Sequence, residues 1–180
     1  MACISKLANA ITYDCDTGAT GLVSALIINK ADIASYTLGN NVEVQGLTLV
    51  SGASAYKVDT VKRSTTVSVA LKVNDGAPNA YSQTATLTVM LDRGRSGYAT
   101  MMNAFSNGSF VILAKHGVGD MQCAVYGLYY GLSATNMERS SHDNGGWATV
   151  TLETPENVIG EDNLYITKAD YDALYAAAVG

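Results

Sequence analysis

From Thr65 to Val73 the chain alternates: Val67, Val69, Leu71 and Val73 fall on one side, and Thr66, Ser68 and Lys72 on the other. A repeat of two belongs to an extended strand with one apolar face; a helix would scatter these residues around its axis. The repeat recurs from Thr84 to Leu91, where Leu87, Val89 and Leu91 turn inward and Thr84, Thr86 and Thr88 outward. It recurs again from Trp147 to Thr154, with Trp147, Thr149, Thr151 and Glu153 opposite Ala148, Val150 and Leu152. Such segments must lie in a sheet whose apolar side is covered, so the chain folds around β-structure.

Further strand signals fill the gaps. Gly21 to Asn29 is apolar without a break and reads as a strand buried on both faces. Val42 to Val50 carries Gly46 inside, where a bulge or bend fits. Ala55 to Lys62 alternates as its return arm. Ser109 to His116, a Gly-rich turn at Gly117 to Asp120, and a Tyr-rich partner from Met121 to Ser133 read as a hairpin. Asn136 to Gly146 then reads as a polar loop.

The period changes in two places. Tyr98, Met101, Met102 and Phe105 follow helical spacing, predicting a helix near 96–106, with Ser96 able to cap its start and Asn107-Gly108 to close its end. Thr167 with Asp170 resembles a capping box, and Tyr171, Leu174, Tyr175 and Ala178 share one face of a short C-terminal helix. The expectation is mainly β: an antiparallel β-barrel or sandwich of about eight strands, with one flanking α-helix and a short C-terminal helix.

Charged residues make up only 15% of the chain, below the typical ~25%, so much of its surface suits contact with something other than water. The net charge of −5 disfavours tight grip on a phosphate backbone, which needs clustered Lys and Arg. No run of about 18 apolar residues offers a membrane span or anchor. Met1 to Ala10 lacks the apolar stretch of a secretory signal, so synthesis is expected in the cytoplasm. Cys3, Cys15 and Cys123 are odd in number and lack zinc-site spacing, and Cys123 reads as a core residue.

Little points to catalysis. The only histidines are His116 and His142, and the strained Gly-x-Ser-x-Gly elbow of many hydrolases has no counterpart. Cys15 sits between Asp14 and Asp16, whose charge disfavours a thiolate nucleophile. Those aspartates, like Asp143 and Asn144, lack the spaced ligands and closing Glu of a calcium loop. The Gly-rich turns lack the Lys-Ser/Thr ending of a phosphate loop. No enzyme activity, cofactor or metal is therefore expected. Asp92-Arg93-Gly94-Arg95 is too small for a nucleic-acid patch but suits an acidic neighbour.

Two segments carry a family likeness: DRGRSGYATMMNAFSNGSFVILAK, and YYGLSATNMERSSHDNGGWATVTLETPEN, whose strand ends in Tyr-Gly-Leu, loop in Gly-Gly and closing strand in Thr-Pro-Glu. The order resembles the tail tube proteins of long-tailed bacteriophages and the related tube proteins of contractile injection systems. The resemblance implies a virion structural subunit, assembled in the host cytoplasm into stacked, hexameric rings around a lumen. DNA would pass without specific binding, and the partners would be further copies and other tail proteins. It implies an N-terminal arm over 1–20 and one β-rich domain over 21–180. The hairpin from Ser51 to Arg63 is the expected inter-ring loop. Tyr56, Lys62, Arg63, Arg93 and Arg95 are the expected oligomer-interface residues. Rival expectations are a capsid decoration or head-to-tail connector protein, and a carbohydrate-binding β-sandwich stacking sugars on Trp147, Tyr126, Tyr129 and Tyr130.

Overall fold

A computed structural model of the chain describes residues 22–40, 42–58, 65–89, 95–117, 123–139 and 148–179. Strand β1, Leu22–Asn29, leads through a 3-10 turn at Lys30–Asp32 into β2, Ile33–Gly39, and β3, Glu43–Leu49. A short β4, Tyr56–Val58, precedes the long hairpin of β5, Thr65–Lys72, and β6, Ala80–Val89. Helix α1, Arg95–Asn107, is followed by β7, Ser109–His116, β8, Cys123–Tyr126, β9, Leu132–Arg139, and β10, Ala148–Glu153. Strand β11, Leu164–Ile166, and helix α2, Lys168–Ala177, complete the order.

The eleven strands of the described residues join one mixed sheet that is not closed into a barrel. Its main path runs β2-β3-β11-β8-β7-β9-β10-β6-β5, with β1 on the other edge of β7 and β4 beyond β1. β7 is the branch point. One edge pairs with β1, while the other pairs with β9 at Ser109 and Phe110 and with β8 from Ile112 to Ala114. The sheet therefore folds over on itself into a sandwich with two cores.

The apolar runs of β1 and β7 follow from that layering. Leu26, Ile28, Val111 and Leu113 enter one core, and Ile27, Phe110, Ile112 and Ala114 the other. A strand covered on both faces gains from apolar residues at every position, so its period of two disappears. The first core is closed by Val44, Leu47, Leu164 and Ile166 and by α2. The second lies between β1-β7-β8 and the inner faces of β6, β9 and β10, where Ala85, Leu87, Leu132, Val150 and Leu152 are buried. Phe105 of α1 joins that core and packs on Phe110 with ring centroids 5.3 Å apart.

Both helices present the expected faces as far as their side chains are described, Tyr98 lying outside those. Met101 and Met102 pack on the second core beside Phe105, and Tyr171, Leu174, Tyr175 and Ala178 pack on the first. Thr167 caps α2, its Oγ1 accepting the Asp170 N–H at 3.2 Å. Thr167→Ala is expected to cost about 1 kcal/mol, read as a fall of about 2–4 °C in Tm by calorimetry. α1 closes where the Gly108 N–H reaches Ala104 O at 2.8 Å. A Cβ on Gly108 would lie 2.4 Å from Phe110 Cζ, so close packing demands glycine there. Ser96 lies inside the helix, which starts at Arg95, and is not its cap.

The structure corrects several strand expectations. Within the expected Met121 to Ser133 strand, the described residues form two strands, because the chain breaks at Gly127 and Gly131, both at positive φ, and pairs with a different stretch of β7 on either side of the break. Asn136 to Arg139 belongs to β9 rather than to a polar loop, and residues 140–147 lie outside the described ones. The arm after Ala55 pairs with β1 instead of folding back on β3. β2 and β11 were not expected. Register shifts in the β2–β3 pairing bring both Ile33 and Tyr36 onto the first core, which breaks alternation. Gly46 does sit at one of those shifts, at φ 58, as a bulge requires.

Candidate assembly face

The outer face of the β5-β6-β10-β9 layer is built by register. Thr66 stands opposite Thr86, Thr86 opposite Thr151, and Thr151 opposite Asn136. The next row runs Ser68, Thr84, Glu153 and Ser133, and a third runs Thr88, Thr149 and Glu138. Directly paired residues point the same way, so four strands present one continuous field of hydroxyls. Threonine suits it because its methyl packs along the pleat while its hydroxyl meets water. The charges in these rows are the carboxylates Glu153 and Glu138. At the margin Lys72 is turned onto the carbonyls of Glu156 and Val158.

This layer ends laterally on β5, which pairs with β6 and stands last in the sheet. β5 alternates as expected, but its apolar side is only partly covered. Thr65 is buried and Val67 packs on the second core, whereas Val69, Leu71 and Val73 emerge at 38%, 62% and 73% exposure. The strand has outrun the core beneath it. Among the described residues no strand lies beyond β5, and a strand edge that carries apolar side chains is a template for another chain. On the layer's other side, among the described residues, β9 meets β7 through Leu132 and Ser133, and Ala134 to Arg139 run on beyond that pairing.

The geometry of the layer depends on the corner between β8 and β9. The Gly127 N–H donates to Gln83 Oε1 at 2.8 Å. Glu161, fully buried, accepts the Tyr129 N–H at 2.9 Å and the Tyr130 N–H at 2.7 Å. Burial pushes the Glu161 carboxyl up, while those N–H groups, Lys30 and the Gly131 N–H hold it back. Gln83 is equally buried and gives its Nε2 proton to Asp162 O at 3.1 Å. Two side chains from β6 and the β10–β11 loop thus satisfy the corner's donors and fix where β9 departs. Neither residue was singled out by the sequence reading, since no local pattern marks an acid that caps a distant turn.

The expected interface residues fall in different places. Tyr56 is on β4, 44% exposed, and its backbone neighbours bridge to Val179, so it belongs to the layer away from the hydroxyl face. Arg95 opens α1, described in its backbone only. Lys62, Arg63 and Arg93 lie outside the described residues, as do the part of the expected inter-ring loop beyond Val58 and the arm over 1–20.

Among the described residues the tyrosines of the carbohydrate reading are not presented together. Tyr126 is buried, with its hydroxyl 3.2 Å from His116 Nε2, and Tyr129 turns its hydroxyl to Asp162 Oδ2 at 3.2 Å. Tyr130 alone of the three is exposed, and Trp147 lies outside the described residues.

Other reactive groups are committed to structure. Cys123 is buried in the first core and its thiol is pushed up to about 11, chiefly by burial. Burial likewise lowers the pKa of His116. Among the described residues no group of three His, Cys, Asp or Glu is placed to hold a metal, and no helix is long and apolar enough to cross a membrane. An open cleft of ≈ 630 Å³ separates the end of α1 from the 3-10 turn. Within it the Asn29 amide is bonded to Asp32 and the Asn107 amide to its own helix.

No family model matches the chain, and neither a curated protein nor a solved structure matches it.

Proposed function

We propose that the chain is a virion structural subunit, a bacteriophage tail tube protein whose copies close into rings, expected to be hexameric, that stack around a lumen for DNA. The observation that carries this reading is the hydroxyl-lined face of β5-β6-β10-β9, ending in an apolar edge strand that outruns its core. In the ring, β5 of one copy lies against the β9 side of the next, and the four-stranded layers join into the lumen wall. Because the two joining edges differ, the contact is heterologous and closes only by rotation into a ring. A wall of threonine hydroxyls with Glu138 and Glu153 as its charges is wetted and faintly acidic. It repels a polyanion rather than binding it, so DNA slides.

Purified full-length protein is expected to form rings and stacked tubes, seen by electron microscopy and as fast-sedimenting species in the ultracentrifuge. Monomers at every salt concentration would overturn the proposal. Rings that never stack would favour a head-to-tail connector instead.

A further inference from the structure

The sequence holds three dipeptides in which glycine follows an aspartate or asparagine: Asp75-Gly76, Asn107-Gly108 and Asn144-Gly145. Such a pair is reactive in itself, because glycine has no Cβ to shield its nitrogen from the side-chain carbonyl carbon of the preceding residue. Ring closure between those two atoms needs an N–H that no hydrogen bond holds and a side chain free to swing onto it. The fold treats the two described pairs in opposite ways.

Asn107-Gly108 is locked. It closes α1, where the Gly108 N–H donates to Ala104 O at 2.8 Å. The Asn107 amide donates to Asn103 O and to Ser106 Oγ, each at 3.0 Å. Gly108 is also packed against Phe110, whose Cζ would lie 2.4 Å from a Cβ there. Asp75-Gly76 is the reverse. Both residues are exposed at the tip of the β5–β6 turn, Gly76 at φ 73 with nothing within 4 Å of a built Cβ. Among the described residues no hydrogen bond holds the Asp75 carboxylate or the Gly76 N–H. The turn is pinned beside them instead, by Asn74 Nδ2 donating to Pro78 O and to Ile159 O, each at 2.9 Å.

We infer that Asp75-Gly76 is a self-modification site, at which the folded chain slowly rearranges Asp75 to isoaspartate through a succinimide. The Gly76 nitrogen gives up its proton and attacks Asp75 Cγ; an N–Cγ bond forms, a carboxyl C–O bond breaks, and water leaves. Water then returns at one of the two ring carbonyls. Attack at Cγ breaks the new bond and restores aspartate. Attack at the main-chain carbonyl carbon breaks its bond to the Gly76 nitrogen and routes the chain through the side chain. No other reactant is consumed. The product carries one more backbone atom between Asn74 and Pro78, whose hydrogen bond closes the turn.

The test is peptide mapping of the full-length protein after long incubation at neutral pH, with an isoaspartyl methyltransferase and a labelled methyl donor marking isoaspartate. Reading the label peptide by peptide separates Asp75 from Asn144, which lies outside the described residues. Label is expected to accumulate with time on the peptide that carries Asp75. Asp75→Glu keeps the exposed charge but closes a ring far less readily, so that label is expected to be lost. Asn107 is expected to hold its mass in the folded chain and to gain the mass of deamidation in denaturant. An Asp75 peptide that labels in denaturant but not in the folded chain overturns the inference, as does equal labelling of that peptide in Asp75→Glu. An Asn107 that deamidates as fast folded as unfolded overturns it too, because hydrogen bonding and packing would then not govern these pairs.

Discussion

Glu161→Ala is expected to lower the melting temperature by roughly 5–15 °C, from a loss of roughly 2–4 kcal/mol at about 2–4 °C per kcal/mol. The carboxylate is fully buried and accepts two backbone N–H groups within 2.9 Å. Alanine leaves those donors facing a void, and an orphaned buried donor costs more than a made hydrogen bond gains. Glu161→Gln keeps one acceptor but turns an amide N–H toward another N–H, so its Tm should lie between wild type and alanine. A second comparison uses pH. Burial raises the Glu161 pKa in the fold above its unfolded value. Its ionisation therefore works against folding: the contribution is fully present below the unfolded pKa and fades as pH rises through the raised one. The stability of wild type relative to Glu161→Gln, which does not titrate, should accordingly improve as pH falls through that window. Denaturant melts of both proteins across the acidic range would show it, and parallel curves would refute it.

Gly127→Ala is expected to be as damaging, by roughly 3–5 kcal/mol, from adding a backbone clash to a left-handed conformation. Gly127 has φ 73, and a Cβ there would lie 2.8 Å from Phe110 O and 2.7 Å from Leu132 Cγ. The first of these is backbone at the branch of β7, β8 and β9, so no rotamer change relieves it. Gly76 provides the control: its φ is also 73, with nothing within 4 Å of a built Cβ. Gly76→Ala therefore carries only the conformational cost of about 1–2 kcal/mol. The difference between the two variants in denaturant melts isolates the steric part. Equal losses would mean that the corner yields, and that its tight packing is not what directs β9 into its layer.

Both variants act on a corner that was read as uninterrupted strand. Tyr126 to Leu132 has the tyrosines and leucines of a strand, and the glycines that break it are common in bulges too. What separates these outcomes is the partner of each N–H, and those partners, Gln83 and Glu161, come from elsewhere in the chain. The β5 stripe teaches the reverse lesson. Its alternation was plain, yet alternation says only that one face is apolar, not that anything in the same chain covers it.

By itself the sequence determined the β class, the strands β1, β3, β5, β6, β7 and β10, both helices, and the cap at Thr167. Each of these rests on a repeat or a local bond within a few residues, which the chain states wherever it folds. Only the tertiary structure decided that the sheet stays open and that β8 and β9 part at a corner. It also decided that β4 pairs with β1, and that threonines from three strands align into one face with Asn136. Those outcomes depend on register and on buried partners distant in sequence, and a pattern of period two carries neither.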